Sequence, residues 1–301
     1  MDSRLKLLSH SSLCLLHTCP RKYQLQKLWP EYIKEESIHL SYGSMFGEGL
    51  QSLLAGYSLQ ESVLRASTHW NLDLFDFEKS KSFWHCIAAL EKFEQIKNDS
   101  ALADYEVVMY NGKPACELGF CISLPDGFYY RGYIDIVMQH KVDGSYLVVD
   151  AKTSGARYSN AAKYQNSPQA IGYSIVMDVV APECNQFNVM YYEYLTELGK
   201  FIDHTFMIDY LSRANWIRDI LLDIESMKMY DQYPEWKMHG ESCASYSRPC
   251  QYIDCCTMKT DNLVGKDRNY IEPFKLDASK GAKYDIVVTL EDLIKSQMER
   301  M

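Results

Sequence analysis

Asp150 and Lys152 stand two apart in the run Tyr146-Leu147-Val148-Val149-Asp150-Ala151-Lys152-Thr153. Side chains alternate along a strand, so Val148, the acid and the lysine project to one side, and Leu147 and Val149 to the other. An earlier run, Tyr130-Arg131-Gly132-Tyr133-Ile134-Asp135-Ile136-Val137, carries a second acid. The turn signal Asp143-Gly144 folds the two runs into a hairpin that places Asp135 close to Asp150. Two carboxylates a few ångströms apart repel unless a cation lies between them. A hard divalent ion with oxygen ligands, Mg2+ or Mn2+, meets that need. A lysine beside it can polarise or deprotonate a water, or stabilise negative charge developing on a phosphate. Asp-x-Lys alone is more often an ordinary surface pair. Asp135 on the preceding strand, three residues after Gly132, turns the reading toward a site.

A second constellation is made of thiols. The chain has ten cysteines, and Cys243, Cys250, Cys255 and Cys256 crowd into fourteen residues of a segment with little aliphatic content. Without an export signal, clustered thiols bind a metal or an iron–sulfur cluster more often than they pair as disulfides. Four thiolates also suit tetrahedral Zn2+. Cys14, Cys86, Cys116, Cys121 and Cys184 stand singly among apolar residues and read as small buried hydrophobes.

These groups must be positioned by a chain of 301 residues, 47% hydrophobic and 24% charged, long enough to bury a full core unaided. Periodicity predicts helices over 12–29, broken near Pro20, over 44–66 and over 80–97. The period then changes to that of strands at 104–111, 115–124, 128–139 and 145–151. Asn111-Gly112, Pro125-Asp126-Gly127 and Asp143-Gly144 separate them, which predicts an antiparallel meander. A helix around 166–180, strands at 186–195 and 200–207, and a helix over 208–229 follow. The cysteine segment comes next, then a polar tail, 261–301, with a strand-like run from Tyr284 to Val288 and a short terminal helix. That order predicts an α/β fold with a mixed central sheet flanked by helices.

The net charge is −9, but residues 1–34 carry six Lys and Arg against two acids, a net +4 that leaves −13 for the remainder. A basic face on an acidic body can still meet a phosphate backbone, because the local field outweighs the sum. No apolar run approaches the ~20 residues needed to span a bilayer. The N-terminal apolar stretch is interrupted by His17, Arg21 and Lys22, so it does not read as a secretory signal and a cytoplasmic location is expected.

Gly132-x-x-Asp135, Asp150-x-Lys152 and Gln169-x-x-x-Tyr173, in that order, resemble the PD-(D/E)XK nucleases of the RecB/AddB exonuclease group. Cys19-Pro20-Arg21-Lys22-Tyr23, together with Cys243, Cys250 and Cys256, resembles its iron–sulfur branch. There, one cysteine before the nuclease core and three after it hold a 4Fe-4S cluster. The resemblance covers roughly residues 11–256. No nucleotide-binding loop of the form G-x-x-x-x-G-K-[ST] is present, so it implies the nuclease alone, as in stand-alone phage or CRISPR-associated exonucleases.

It implies a PD-(D/E)XK core with an iron–sulfur-stapled helical subdomain. A single nuclease domain would span 1–260, with a helical part at 1–100, the catalytic sheet at 101–207 and the helix and cysteine loop at 208–260. The 261–301 tail would follow. Asp135 and Asp150 would bind Mg2+ or Mn2+, and Lys152 would be the catalytic lysine. Gln169 and Tyr173, one helical turn apart, would border the active site, with Arg21 and Lys22 as further DNA-binding candidates. Cys19, Cys243, Cys250 and Cys256 would hold the cluster, with Cys255 the alternative to Cys256 and Zn2+ the alternative metal. The family's first-motif histidine is missing, because Gly47 stands in its place. Gln51, one turn on, is the preferred substitute ligand over Glu48, which points about 100° away. The implied activity is a metal-dependent DNA exonuclease acting in recombination, repair or degradation on single-stranded DNA or free ends. If phage-encoded, it would work in the host cytoplasm, and a recombination or replication protein would be a fitting partner. The rival readings are a non-catalytic nucleic-acid-binding or assembly protein on a nuclease fold, and a zinc-stapled interaction module.

Overall fold

The computed structural model describes residues 1–28, 37–74, 80–184, 186–245, 248–258 and 284–299. In chain order its elements are β1 (Leu7–Leu8), α1 (His10–Thr18), α2 (Pro20–Leu28), α3 (Ile38–Leu54), α4 (Leu59–Ser67), α5 (Phe83–Ile96), β2 (Tyr105–Val107), β3 (Met109–Tyr110), β4 (Lys113–Pro114), β5 (Cys116–Ser123), β6 (Tyr129–His140), β7 (Tyr146–Ser154), α6 (Ala162–Gln165), α7 (Pro168–Val180), β8 (Phe187–Leu195), β9 (Lys200–Ile208), α8 (Tyr210–Tyr230), β10 (Ala244–Ser245), β11 (Arg248–Pro249), β12 (Ile286–Thr289) and α9 (Leu290–Met298).

Local chemistry sets the joints. The break expected near Pro20 falls at Cys19, which is extended at φ −162°, because a residue before proline avoids the helical region. Residues 44–66, read as one helical stretch, are two helices. Gly56 at φ +92° follows the end of α3, and the Ser58–Glu61 capping box starts α4. Asn111 (φ 50°) and Gly112 (φ 78°) close the β3–β4 hairpin, as the dipeptide predicts.

The chain divides into two compact units. The first comprises Met1–Lys34, Gly119–Gly132 and Ala214–Met301, the second Glu35–Leu118 and Tyr133–Arg213. In the second, β6 pairs antiparallel with β2 and β7, β7 pairs parallel with β8, and β8 pairs antiparallel with β9. The sheet is therefore mixed. The expected meander is modified because β2 pairs with β6, not with its neighbours in sequence. The parallel β7–β8 pair needs a crossover, which α7 supplies while packing on β8 and β9. Tyr42, Met45, Phe46 and Leu50 of α3 and Leu90 and Phe93 of α5 pack with Ile136, Leu147, Val149 and Tyr192 into one buried core. Leu147 and Val149 thus face the core, which leaves the alternate side of β7 to Val148, Asp150 and Lys152. Asp178 of α7 forms a buried ion pair with Arg213, whose guanidinium lies 5.5 Å from the ring of Phe187 on β8.

In the first unit, β1 pairs parallel with β6 at Leu7–Tyr129, and β12 pairs parallel with β5 over Ile286–Phe120 to Thr289–Ser123. The strand and terminal helix expected at the end of the tail are β12 and α9; residues 261–283, like Glu31 and Lys34 of the basic segment, lie outside the described residues. Trp236 is buried and stacks on Tyr23 at 5.8 Å. Cys86 and Cys121 are buried as expected, whereas Cys14 is exposed. Among the described residues, no helix is long and apolar enough to cross a membrane.

Gly49 is where α3 meets α5 most closely. A Cβ built there would lie 2.4 Å from Leu90 Cδ1, and Leu90 is fully buried. Gly49→Val should destabilise the protein by about 1–3 kcal/mol through overpacking. Urea denaturation should show a lower midpoint at an unchanged slope.

Candidate active site

The β6–β7 ladder runs from Gln139–Tyr146 to Ile136–Val149 and ends there. The next residues inward, Asp135 and Asp150, face each other where the ladder stops. The Ala151 N–H, which would otherwise bond across the ladder, donates to Asp135 Oδ2 at 3.0 Å. The hairpin expected from the turn at Asp143-Gly144 therefore brings the two acids together. Gly144 sits at φ +73° in that turn.

Asp150 is 1% exposed. Its Oδ2 lies 2.5 Å from Lys152 Nζ, and its Oδ1 has no hydrogen-bond partner among the described residues. Burial raises the Asp150 carboxyl above its ordinary pKa, against the pull of Lys152. Asp135 is raised well above the usual carboxylate range, first by burial and then by the charge of Asp150, with Glu117 adding to it. Burial disfavours the Lys152 ammonium, but Asp150 and then Asp135 outweigh it and hold the lysine above its ordinary value.

α7 supplies the next layer. Lys152 Nζ donates to Gln169 Oε1 at 3.2 Å, and Gln169 Nε2 donates to the Tyr173 hydroxyl at 2.7 Å. The Lys152 ammonium only donates, so it takes the amide oxygen and leaves Nε2 to the Tyr173 hydroxyl. Tyr191, opposite Asp150 on β8, places its ring 5.9 Å from Lys152 Nζ. Five residues expected from sequence, Asp135, Asp150, Lys152, Gln169 and Tyr173, are one connected group.

α3 contributes differently. A Cβ on Gly47 would meet nothing within 4 Å. Glu48 accepts from Ser52 Oγ at 3.1 Å and lies 3.8 Å from both Arg65 and His69. Gln51 is 3% exposed, and its Nε2 donates to Glu117 Oε1 at 2.8 Å. Glu117 was not singled out by motif. The signal that finds it is hairpin register: Val137 N–H donates to Ala115 O at 2.9 Å, so Glu117, two residues after Ala115, runs alongside Asp135, two before Val137. A hydrophobic strand beginning Cys116-Glu117 gives no such hint without that count.

The donor set of hard carboxylate oxygens, with one buried oxygen unpaired, fits a hard divalent cation. Among the described residues, no three His, Cys, Asp or Glu side chains are gathered as a ready metal cage.

The thiols lie in the first unit. Cys19 is buried at the α1–α2 joint, and Cys243, Cys250 and Cys256 are half-buried. The Cys256 thiol is raised by burial and also feels Cys19, Cys243 and Cys250, with Arg21 pulling the other way. Cys255 instead packs with Leu25 and Tyr252, its Sγ bonding to Tyr252 O at 3.5 Å. Arg21, expected at DNA, is fully buried. Its guanidinium donates to Cys256 O at 3.0 Å, Met258 O at 2.6 Å and Gln24 Oε1 at 2.6 Å, so it anchors the cysteine segment from within. Lys22, its neighbour, is half-buried.

Residues 7–257 match the model of the PD-(D/E)XK nuclease superfamily. Among solved structures, the chain is similar in fold to a Eubacterium rectale protein described as a "Putative exonuclease", at TM-score 0.50 and 12% identity over 83% of this chain and 92% of that one. The structure of SSO0001 aligns at TM-score 0.33 and 13% identity, over 79% and 94% of the two chains. No curated protein matches the chain.

The raised carboxyl of Asp135 has a stability consequence. An acid whose pKa is raised on folding holds its proton more tightly in the folded state. Its contribution is fully present below the unfolded value near ~4 and is lost as pH rises through the folded one. Asp135→Asn should therefore melt higher than the parent at pH 7–8 without added metal, and the difference should close toward pH 4. With Mn2+ the order should reverse. Ligand at a hundred times its Kd adds about 2.7 kcal/mol to the parent, and the variant should gain much less. Thermal melts across pH, with and without Mn2+, read both effects.

Proposed function

The chain belongs to the PD-(D/E)XK nuclease superfamily, and from that premise we propose that it is a metal-dependent DNA exonuclease acting in recombination, repair or DNA degradation. The observation that carries this reading is the meeting of Asp135 and Asp150 at the end of the β6–β7 ladder, with Lys152 paired to Asp150 and one Asp150 oxygen unpaired in the protein interior. Single-stranded DNA or DNA with free ends is the proposed substrate.

Asp135 and Asp150 would hold Mg2+ or Mn2+, and α3 reaches the site through Gln51, whose Nε2 donates to Glu117. When bound, that ion supplies Lewis-acid stabilisation of the charge developing on the phosphate and activates water. Lys152 has its own part. Its ion pair with Asp150 places it to stabilise negative charge developing on the scissile phosphate. The Tyr173–Gln169 pair holds the ammonium in place, because Gln169 Oε1 accepts from it while the amide nitrogen is committed to Tyr173.

We further propose that Cys19, Cys243, Cys250 and Cys256 hold a structural 4Fe-4S cluster, with Zn2+ as the alternative. Support comes from the Cys256 thiol, which feels Cys19, Cys243 and Cys250, and from the Cys250 N–H bond to Cys243 O at 2.7 Å, which turns the segment back on itself. Cys255, packed as a core residue, is the weaker candidate for the fourth position. Closing more than two hundred residues with one staple would remove chain entropy from the unfolded state and couple metal loading to folding.

Two experiments test these readings. Digestion of end-labelled single- and double-stranded DNA with Mn2+ should release nucleotides from ends, and Lys152→Ala should lose on the order of 10²–10³ in rate while binding DNA nearly as before. Activity within a few-fold of the parent would remove Lys152 from the chemistry. Anaerobically purified protein should be brown and carry about four irons per chain, and serine at Cys19, Cys243, Cys250 or Cys256 should lower the melting temperature, whereas Cys14→Ser and Cys184→Ser should not. Colourless protein with one zinc would replace the cluster by a zinc staple.

A further inference from the structure

We propose that Glu117 is the third carboxylate of the metal-binding set and that Gln51 is its positioning residue, so that the ligand the resembled family draws from its first core helix comes here from strand β5. This inference rests on the metal-dependent reading of the Asp135–Asp150 site.

Three independent observations meet at this position. The first is register. The Val137–Ala115 bond aligns the start of β5 with the part of β6 that carries Asp135, which brings Glu117 beside that acid. The second is the contact from α3. Gln51 is buried and its Nε2 donates to Glu117 Oε1 at 2.8 Å. A carboxylate only accepts, so the amide must turn its nitrogen toward Glu117. Gln51 is therefore committed to orienting an acid, which is a second-layer task. Glu48, the other acid of this helix turn, is engaged by Ser52 and lies near Arg65 and His69. The third is the orphaned oxygen. Among the described residues, Asp150 Oδ1 is in the protein interior without a hydrogen-bond partner, which is costly unless a cation or donor completes it.

Electrostatics agree with the placement. Glu117 is exposed as a residue, yet its carboxyl is raised by the protein packed about it and by the charges of Glu48 and Asp150, against the Gln51 bond. Glu117 in turn raises Asp135. Three mutually repelling carboxylates face one ammonium, Lys152. A multivalent cation would offset the remaining charge, and its exposed third ligand would lie on the side open to substrate.

The test compares Glu117→Gln, Gln51→Ala, their double variant and Asp135→Asn in the full chain, with Mn2+ binding read by calorimetry and by Mn2+-induced change in melting temperature. Glu117→Gln should lower Mn2+ affinity at least tenfold, as Asp135→Asn does, while melting no lower than the parent without metal. Gln51→Ala should weaken binding by a smaller factor and add nothing in the Glu117→Gln background, because it acts through Glu117. Parent-like Mn2+ binding by Glu117→Gln, with binding lost in Asp135→Asn, would overturn this inference and leave the two-acid site standing. Unchanged binding in both would overturn the site itself. A full additional loss from Gln51→Ala in the Glu117→Gln background would make Gln51 a ligand in its own right and overturn its positioning role.

Discussion

Asp135 and Asp150 are held together by a backbone that gives them no room to part. The antiparallel ladder stops at Ile136–Val149, and the next pair of positions carries two acids. Unit charges ~4 Å apart at an effective dielectric of ~20 interact by about 4 kcal/mol. One hydrogen bond to a charged group returns about 1.5–3 kcal/mol. The Ala151 N–H on Asp135 therefore does not balance the repulsion alone, and Lys152 on Asp150 is required as well. The arrangement tolerates two acids by charging the lysine and by raising both carboxyls. A divalent cation would relieve the same repulsion from the other direction.

The lysine is consequently the counter-ion of the pair, and in the proposed reaction it would act on the phosphate as well. Its pairing with Asp150 favours the ammonium form, and α7 keeps it aimed. The crossover that a parallel β7–β8 pair demands is the element that delivers Gln169 and Tyr173 to the lysine, one helical turn apart. The core of α3, α5 and the opposite sheet face fixes β7 from behind through Leu147 and Val149. Strand alternation then leaves Asp150 and Lys152 no other direction to point.

The first unit follows a different logic. Its cysteine segment has few aliphatic side chains, and what orders it is polar: a buried guanidinium donating to carbonyls of residues 256 and 258. A fully buried arginine is stable only when its donors are satisfied. Arg21 meets that condition through the carbonyls of residues 256 and 258 and the Gln24 side-chain oxygen, so its charge is unavailable to a phosphate. It also lies beside the Cys256 thiol and favours its ionised form, the form that binds metal.

Much of the fold is legible in the sequence because local rules decide it. Proline at position 20 divides α1 from α2, Asn111-Gly112 closes a hairpin, and the change from helical to strand period near residue 104 marks the sheet. The Asp135–Asp150–Lys152 group is legible for the same reason: a two-residue strand period and one turn bring it together. What the tertiary structure alone decides is everything that depends on distant neighbours. The pairing of β2 with β6, the burial of Arg21, the sorting of Cys255 into a core while Cys256 stays half-buried, and the meeting of Gln51 with Glu117 all depend on residues whose separation in sequence carries no period. Periodicity fixes which side of its own element a residue occupies; packing decides what waits on that side. Glu117 shows the division most plainly, since its residue type is common and its place beside two other acids exists only once α3, β5 and β6 have packed.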